Sequence, residues 1–157
     1  LDDTSPGIVV AGVRNRPLRT FTLSTEIPAP AGRAAALLLD VRAWPRWNRL
    51  VPRVRGDVAP GALVTFAIRQ PGGGHYAHRA RVLELEPLRV VLSAVFLHPL
   101  LLRMDHAFDF VPVDPGRSRL DQSWSVSGVL APLLWRRLVR AMARFAELGD
   151  DLAGACR

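Results

Sequence analysis

The chain contains no lysine, a single cysteine and no long uninterrupted apolar run. One cysteine, Cys156, rules out an internal disulfide framework. The absence of an apolar stretch of about 18 residues excludes a conventional spanning helix. The first residues lack the basic, apolar and small-residue succession of a secretory leader, so a cytoplasmic location is expected. The glycine run Gly72–Gly74 is not followed by Lys-Ser/Thr and does not join a strand to a helix, which argues against a phosphate-binding loop.

The net charge is nevertheless +7, and arginine supplies every basic side chain. Two readings account for this. A GC-rich coding bias would raise Arg, Ala, Gly and Pro together, and all four are abundant. Alternatively, the basic surface serves a polyanion. The arginines are scattered, apart from Arg136, Arg137, Arg140 and Arg144 in one helical cluster. Scattered charge favours solubility over a binding stripe, and nucleic acid is not expected as a partner.

Residues 1–17 show little periodicity and are expected to form a flexible N-terminal tail, leaving 18–157 as a single domain. A first strand over 18–27 alternates Phe21, Leu23, Thr25 and Ile27. Pro28-Ala29-Pro30 ends it, and Ala34 to Leu39 form a short helix. A second helical turn starts at Pro45, between Trp44 and Trp47. From residue 51 the period becomes two. Strands are expected at 51–57, 63–70, 75–86, 89–96, 103–112 and 117–127, with turns at Pro60-Gly61, Pro71–Gly74, Pro87, His98-Pro99 and Asp114–Gly116. The helical period returns in Leu134, Leu138, Met142, Phe145 and Leu152. It predicts one long amphipathic helix from about Pro132 to Ala153.

Several local patterns accompany this order: Ile27-Pro28-Ala29-Pro30 before the first helix and Trp44-Pro45-Arg46-Trp47-Asn48 at the following corner. His106, Phe108, Phe110 and Pro112 alternate along a later strand. Gly116, Arg119, Leu120, Gln122 and Gly128 then lead to Pro132-Leu133-Leu134. Together they resemble the START-like, helix-grip superfamily (SRPBCC), with its polyketide cyclase and lipid-transfer branches, over about 18–156. The resemblance implies an α+β fold: a curved antiparallel sheet of about six to seven strands wrapped around a long C-terminal helix, with two short helices after strand 1. It also implies a deep apolar pocket. Relatives often carry Glu four residues before the glycine matched by Gly128. Trp124 stands there instead, so acid–base chemistry by that Glu does not carry over.

Side-chain alternation selects the residues that face such a pocket. One strand offers Phe66 and Ile68, with Val64. The next inward row offers Leu92 and Phe96, with Val90 and Ala94. The strand near 105 offers Met104, His106 and Phe108. The last strand offers Gln122 and Trp124, and the helix supplies Leu138, Met142 and Phe145. These are the candidate ligand-binding residues. Strand 75–86 has no unambiguous inward parity, which points to a bulge.

Two of the inward residues, His106 and Gln122, are polar. Either they satisfy each other, the backbone or trapped water, or they orient a ligand carbonyl or hydroxyl. His106 and Gln122 are also the candidates for proton transfer, should the chain be an enzyme. No metal is expected: His75 and His78 fall on opposite faces of an extended segment, with no cysteine or carboxylate to complete a set. No other cofactor is implied. Ser123, Ser125 and Ser127 read as an outer strand face, and Cys156 as a residue of a fraying last turn.

The connection Phe96 to Leu102 is unusually apolar. It reads either as strand ends packed on the helix or as a pocket lid that dips into a membrane, with Arg103 near anionic head groups. The leading functional expectation is binding of a hydrophobic small molecule: a lipid, polyketide, isoprenoid or aromatic compound. The competing expectations are a polyketide cyclase or dehydratase in the same cavity, and a basic module for RNA, the ribosome or a membrane.

Overall fold

A computed structural model describes residues 18–157; the expected tail over 1–17 lies outside the described residues. Strand β1 (Arg19–Ile27) is followed by helices α1 (Ala31–Leu39) and α2 (Trp44–Trp47). Six strands come next: β2 (Arg53–Arg55), β3 (Leu63–Arg69), β4 (His75–Glu86), β5 (Arg89–Phe96), β6 (Leu102–Asp114) and β7 (Arg117–Ser127). Helices α3 (Ala131–Ala143) and α4 (Ala146–Ala155) close the chain. The strands form one curved antiparallel sheet in the order β1-β7-β6-β5-β4-β3-β2. Short turns make β2 to β7 a meander, and β1 adds to the free edge of β7, with Phe21 opposite Trp124 and Leu23 opposite Gln122. This is the helix-grip architecture expected from the sequence.

The turns have local causes. Gly72, Gly73 and Gly74 all have positive φ (85°, 104° and 79°), a region that other residues rarely enter, so this tip demands glycine. In β4 the pairing with β5 shifts between Val82 and Glu84, which is the bulge the mixed parity implied. Before it, Ala80 and Val82 are buried while Arg79 and Arg81 face solvent.

The double-tryptophan corner is a packed joint. Trp44 is buried, donates its indole N–H to the Leu38 carbonyl at 2.8 Å, and sits 5.8 Å from both the Trp47 and Phe66 rings. Asn48 ends α2, and its side-chain oxygen accepts the Val51 N–H at 2.8 Å. Asp151 of α4 then ties this corner down. It accepts the Arg49 backbone N–H and the Arg49 Nε–H, each at 2.8 Å.

Two expectations need correction. The C-terminal helix is long but not continuous: it breaks at Arg144–Phe145 into α3 and α4. At the break the Phe145 N–H bonds to Met142, three residues back, and the Phe145 carbonyl accepts the Gln122 side-chain amide at 3.1 Å. Periodicity does not register a break whose partner lies on a distant strand. Cys156 is not in a fraying turn either. It is 2% exposed and joins the core packed by Leu148 and Leu152. Burial of each such leucine stabilises the fold by about 1.5–3 kcal/mol, and this anchors α4 to the last residues. Gly149 lets α4 approach β1, since a Cβ there would overlap the Thr25 hydroxyl oxygen.

Strand limits differ slightly. Only Arg53–Arg55 of the expected strand 51–57 pair, because Leu50 and Val51 instead turn inward and are buried.

Candidate ligand cavity

Between the concave face of the sheet and α3 lies a cavity of about 200 Å³. The sheet builds its floor by simple alternation. Phe66 and Ile68 come from β3, Leu92, Ala94 and Phe96 from β5, Met104, His106 and Phe108 from β6, and Trp124 from β7. Leu138, Ala141 and Met142 of α3 form the roof, and Phe145 descends from the helix break. Phe96 is 38% exposed, which places it at the mouth.

The structure therefore brings together Phe66, Ile68, Leu92, Phe96, Met104, His106, Phe108, Trp124, Leu138, Met142 and Phe145 around one space. Gln122 is not among the lining residues. Fully buried, it is turned toward the Phe145 carbonyl behind the wall.

Aromatic rings pack densely around His106. Its imidazole stacks on Trp124, with centroids 4.0 Å apart and planes at 21°. Phe108 lies at 3.9 Å, and Phe145 meets the imidazole edge-on at 5.2 Å. Burial pushes the His106 pKa well below its ordinary value. The Gln122 side chain, close to the ring but outside hydrogen-bonding geometry, opposes this shift, and the nearby His78 reinforces it. At neutral pH the ring is thus uncharged, with one N–H and one acceptor nitrogen. Its Nε2 and the Oε1 of Gln122 have no hydrogen-bond partner among the described residues.

Two polar lining residues escaped sequence reasoning: Tyr76 and His78, both on β4. Burial lowers the His78 pKa and raises that of Tyr76, the latter against the effect of Arg144. The signal that could have found them is the hairpin register. Across the Gly72–Gly74 tip, Phe66 pairs with His78 and Ile68 with Tyr76, so the inward parity of β3 carries over to β4. Trp44, from the corner that follows α1, also reaches the cavity.

Among the described residues, Tyr76, His78 and His106 are the ionisable groups lining this space, and no carboxylate or guanidinium does so. Charged ligands would be desolvated there without a counter-ion. The site is suited to an uncharged, ring-bearing or otherwise apolar molecule, with three polar points to orient it.

This arrangement defines a class: a curved sheet gripping a C-terminal helix over an apolar cavity. The family model described as "Polyketide cyclase / dehydrase and lipid transport" matches residues 19–150, and the chain belongs to that family. Among solved structures, it is similar to a START superfamily protein from Mycobacterium smegmatis, with 16% identity and a TM-score of 0.66, covering 87% of this chain and 96% of that one. The Zhui aromatase/cyclase from Streptomyces sp. R1128 gives 16% identity and 0.68, with 89% and 94% covered. Norcoclaurine synthase from Thalictrum flavum, in complex with dopamine and hydroxybenzaldehyde, gives 11% and 0.68, with 98% and 96% covered. At such identities the likeness concerns the fold. No curated protein sequence matches the chain.

Proposed function

We propose that this protein binds a small uncharged hydrophobic molecule, with at least one ring, in the cavity between the sheet and α3. The observation that carries this reading is the cavity itself: about 200 Å³, walled by aromatic and aliphatic side chains, with neutral histidines at His78 and His106. Size narrows the ligand. A dry apolar cavity of about 150 Å³ holds benzene, so this one suits a compact molecule of one or two rings. A long acyl chain or a multi-ring polyketide would require α3 to move outward. The single-ring compounds named with the Thalictrum enzyme fit within that limit.

The test is a titration of the protein with substituted phenols, fatty acids and aromatic polyketides. Tryptophan emission reports binding, since Trp44 and Trp124 line the site. At least one compact aromatic member should bind saturably at one equivalent. If no member of the panel binds, the reading fails.

One observation favours a catalytic variant of it. His106 is neutral, buried and lacks a partner at Nε2. A neutral imidazole beside an enolisable carbonyl serves as a general base, and then as an acid, in cyclisation or dehydration. The cavity's own contribution would be to hold the reacting carbons together. His106→Ala would then abolish turnover of a model polyketide while leaving its binding within a few-fold.

A further inference from the structure

An apolar cluster lies at the end of the sheet from which the cavity opens, built on the apolar Phe96–Leu102 connection and the start of α3. Leu97 is 94% exposed and Leu100 is 54% exposed, both in the β5–β6 connection. Beside them are Val129, 57% exposed, and Leu133, 80% exposed, where the chain enters α3. The two segments are fixed to each other: the Val129 N–H donates to the Leu100 carbonyl at 3.1 Å, and the Leu130 N–H to the Leu101 carbonyl at 3.0 Å. Leu97 holds a left-handed backbone, φ 65°, which is costly for a branched-chain residue and here turns a large apolar side chain into solvent. Scattered exposed leucines are ordinary, but Leu97, Leu100 and Val129 on two bonded loops, with Leu133 in the first turn of α3, form a patch.

Charge adjoins the patch. Leu133, Arg136, Arg137 and Arg140 recur at spacings of three and four, so they share one face of α3, opposite the side occupied by Leu138 and Met142. All three arginines are exposed, and none of the eight ion pairs among the described residues uses them. With a rise of about 1.5 Å per residue, the arginine backbone positions begin roughly 5 Å beyond Leu133 along α3 and extend to about 10 Å. An apolar tip with a cationic collar at that depth matches the interface of an anionic bilayer, where apolar side chains enter about 5–10 Å and basic ones meet phosphates. A second copy of the chain is a poorer occupant. Twofold pairing through this patch would bring the two arginine collars toward each other.

We propose that the Leu97–Leu100 loop and the start of α3 form a docking surface for an anionic lipid bilayer. The surface borders the cavity mouth, since Phe96 immediately precedes Leu97 and α3 forms the roof. An apolar ligand could thus pass between bilayer and cavity without crossing water. The docking itself does not depend on which ligand the cavity holds.

The experiment is cosedimentation of the full chain with vesicles of phosphatidylcholine alone, or of phosphatidylcholine with phosphatidylglycerol, over a salt series. Binding should be at least tenfold stronger to the anionic vesicles and should weaken as salt rises. The Leu97→Ser/Leu133→Ser double variant should lose at least tenfold. The Arg136→Gln/Arg137→Gln/Arg140→Gln variant should lose about fivefold per arginine and abolish the preference for anionic lipid. Circular dichroism of each variant checks the fold; all five positions are exposed, so native spectra are expected. Equal binding to both vesicle types overturns the proposal. So does binding unaffected by either variant, or self-association of the chain through Leu97 and Leu133 without vesicle binding.

Discussion

The side-chain amide of Gln122, in β7, donates to the backbone carbonyl of Phe145 at the break between α3 and α4. This single bond joins the cavity floor to its roof. It meets the C-terminal helix at its bend, where the Phe145 ring packs against His106 and Trp124. Gln122→Ala removes the bond and leaves a void, and should destabilise the protein by about 2–4 kcal/mol. Gln122→Leu fills the void and also removes the unpartnered Oε1, so it should cost less than half as much. Urea denaturation of the two variants checks the order. Hydrogen exchange should show faster opening of α3 in both, because the helix keeps its length but loses its pin.

The histidines make stability depend on pH. Both His78 and His106 have pKa values below the unfolded value near 6.5, His106 well below, and burial is the main cause. The unfolded chain therefore binds protons first as the pH falls. The histidine contribution to stability should be constant above about pH 7.5 and decline through pH 6.5, until the folded-state values are reached. The slope for His106 is limited to about 1.4 kcal/mol per pH unit. His106→Phe should flatten most of this decline between pH 6.5 and 5. Thermal melts at matched ionic strength measure it, and an unchanged slope in the variant would remove His106 from the account.

Much of the fold was legible because the strands are exposed on one face only. Alternation then labels the inner side of β3, β5, β6 and β7 directly, and the rows containing Phe66, Leu92, Phe108 and Trp124 are where it put them. Where a strand breaks its own period, the method stops. The bulge at Val82–Glu84 hid β4, and with it Tyr76 and His78. Long-range contacts were equally silent. Nothing in the helical stripe from Leu134 to Leu152 announces the break at Phe145, where the contact is with Gln122, in a strand some twenty residues earlier. The burial of Cys156 likewise follows from α4 packing on β1, which periodicity alone does not reveal.

The close approach of α4 to β1 gives a third expectation. A Cβ at Gly149 would overlap Thr25 Oγ1 and come within 3.0 Å of Thr25 Cβ. Thr25 is β-branched and sits in the β1–β7 ladder opposite Leu120, so its side chain has little freedom to yield. Gly149→Ala should gain helix propensity of up to about 1 kcal/mol and lose more to overpacking, for a net destabilisation of about 1–2 kcal/mol. Combining it with Thr25→Ala removes the overlapping oxygen but leaves the tight Cβ contact. The double variant should therefore recover part of the loss, a coupling that a double-mutant cycle in urea would read out.

The cavity itself can be filled from within, which separates binding from folding. Ala94 lies on the floor in β5, is 4% exposed and lines the space. A leucine at this position points into the void rather than into packed atoms. Ala94→Leu should occupy a large part of the roughly 200 Å³ available. It should bury new apolar surface, raising stability by up to about 1–2 kcal/mol where its rotamer is unstrained. The same change should weaken binding of a compact aromatic ligand at least thirtyfold, because ring and side chain compete for one volume. Ala80→Leu, from the neighbouring strand β4 on the same floor, should act in the same direction. Calorimetric titration and denaturation on the same samples give both quantities. A stabilised variant that binds as tightly as the parent chain would place the ligand outside this cavity.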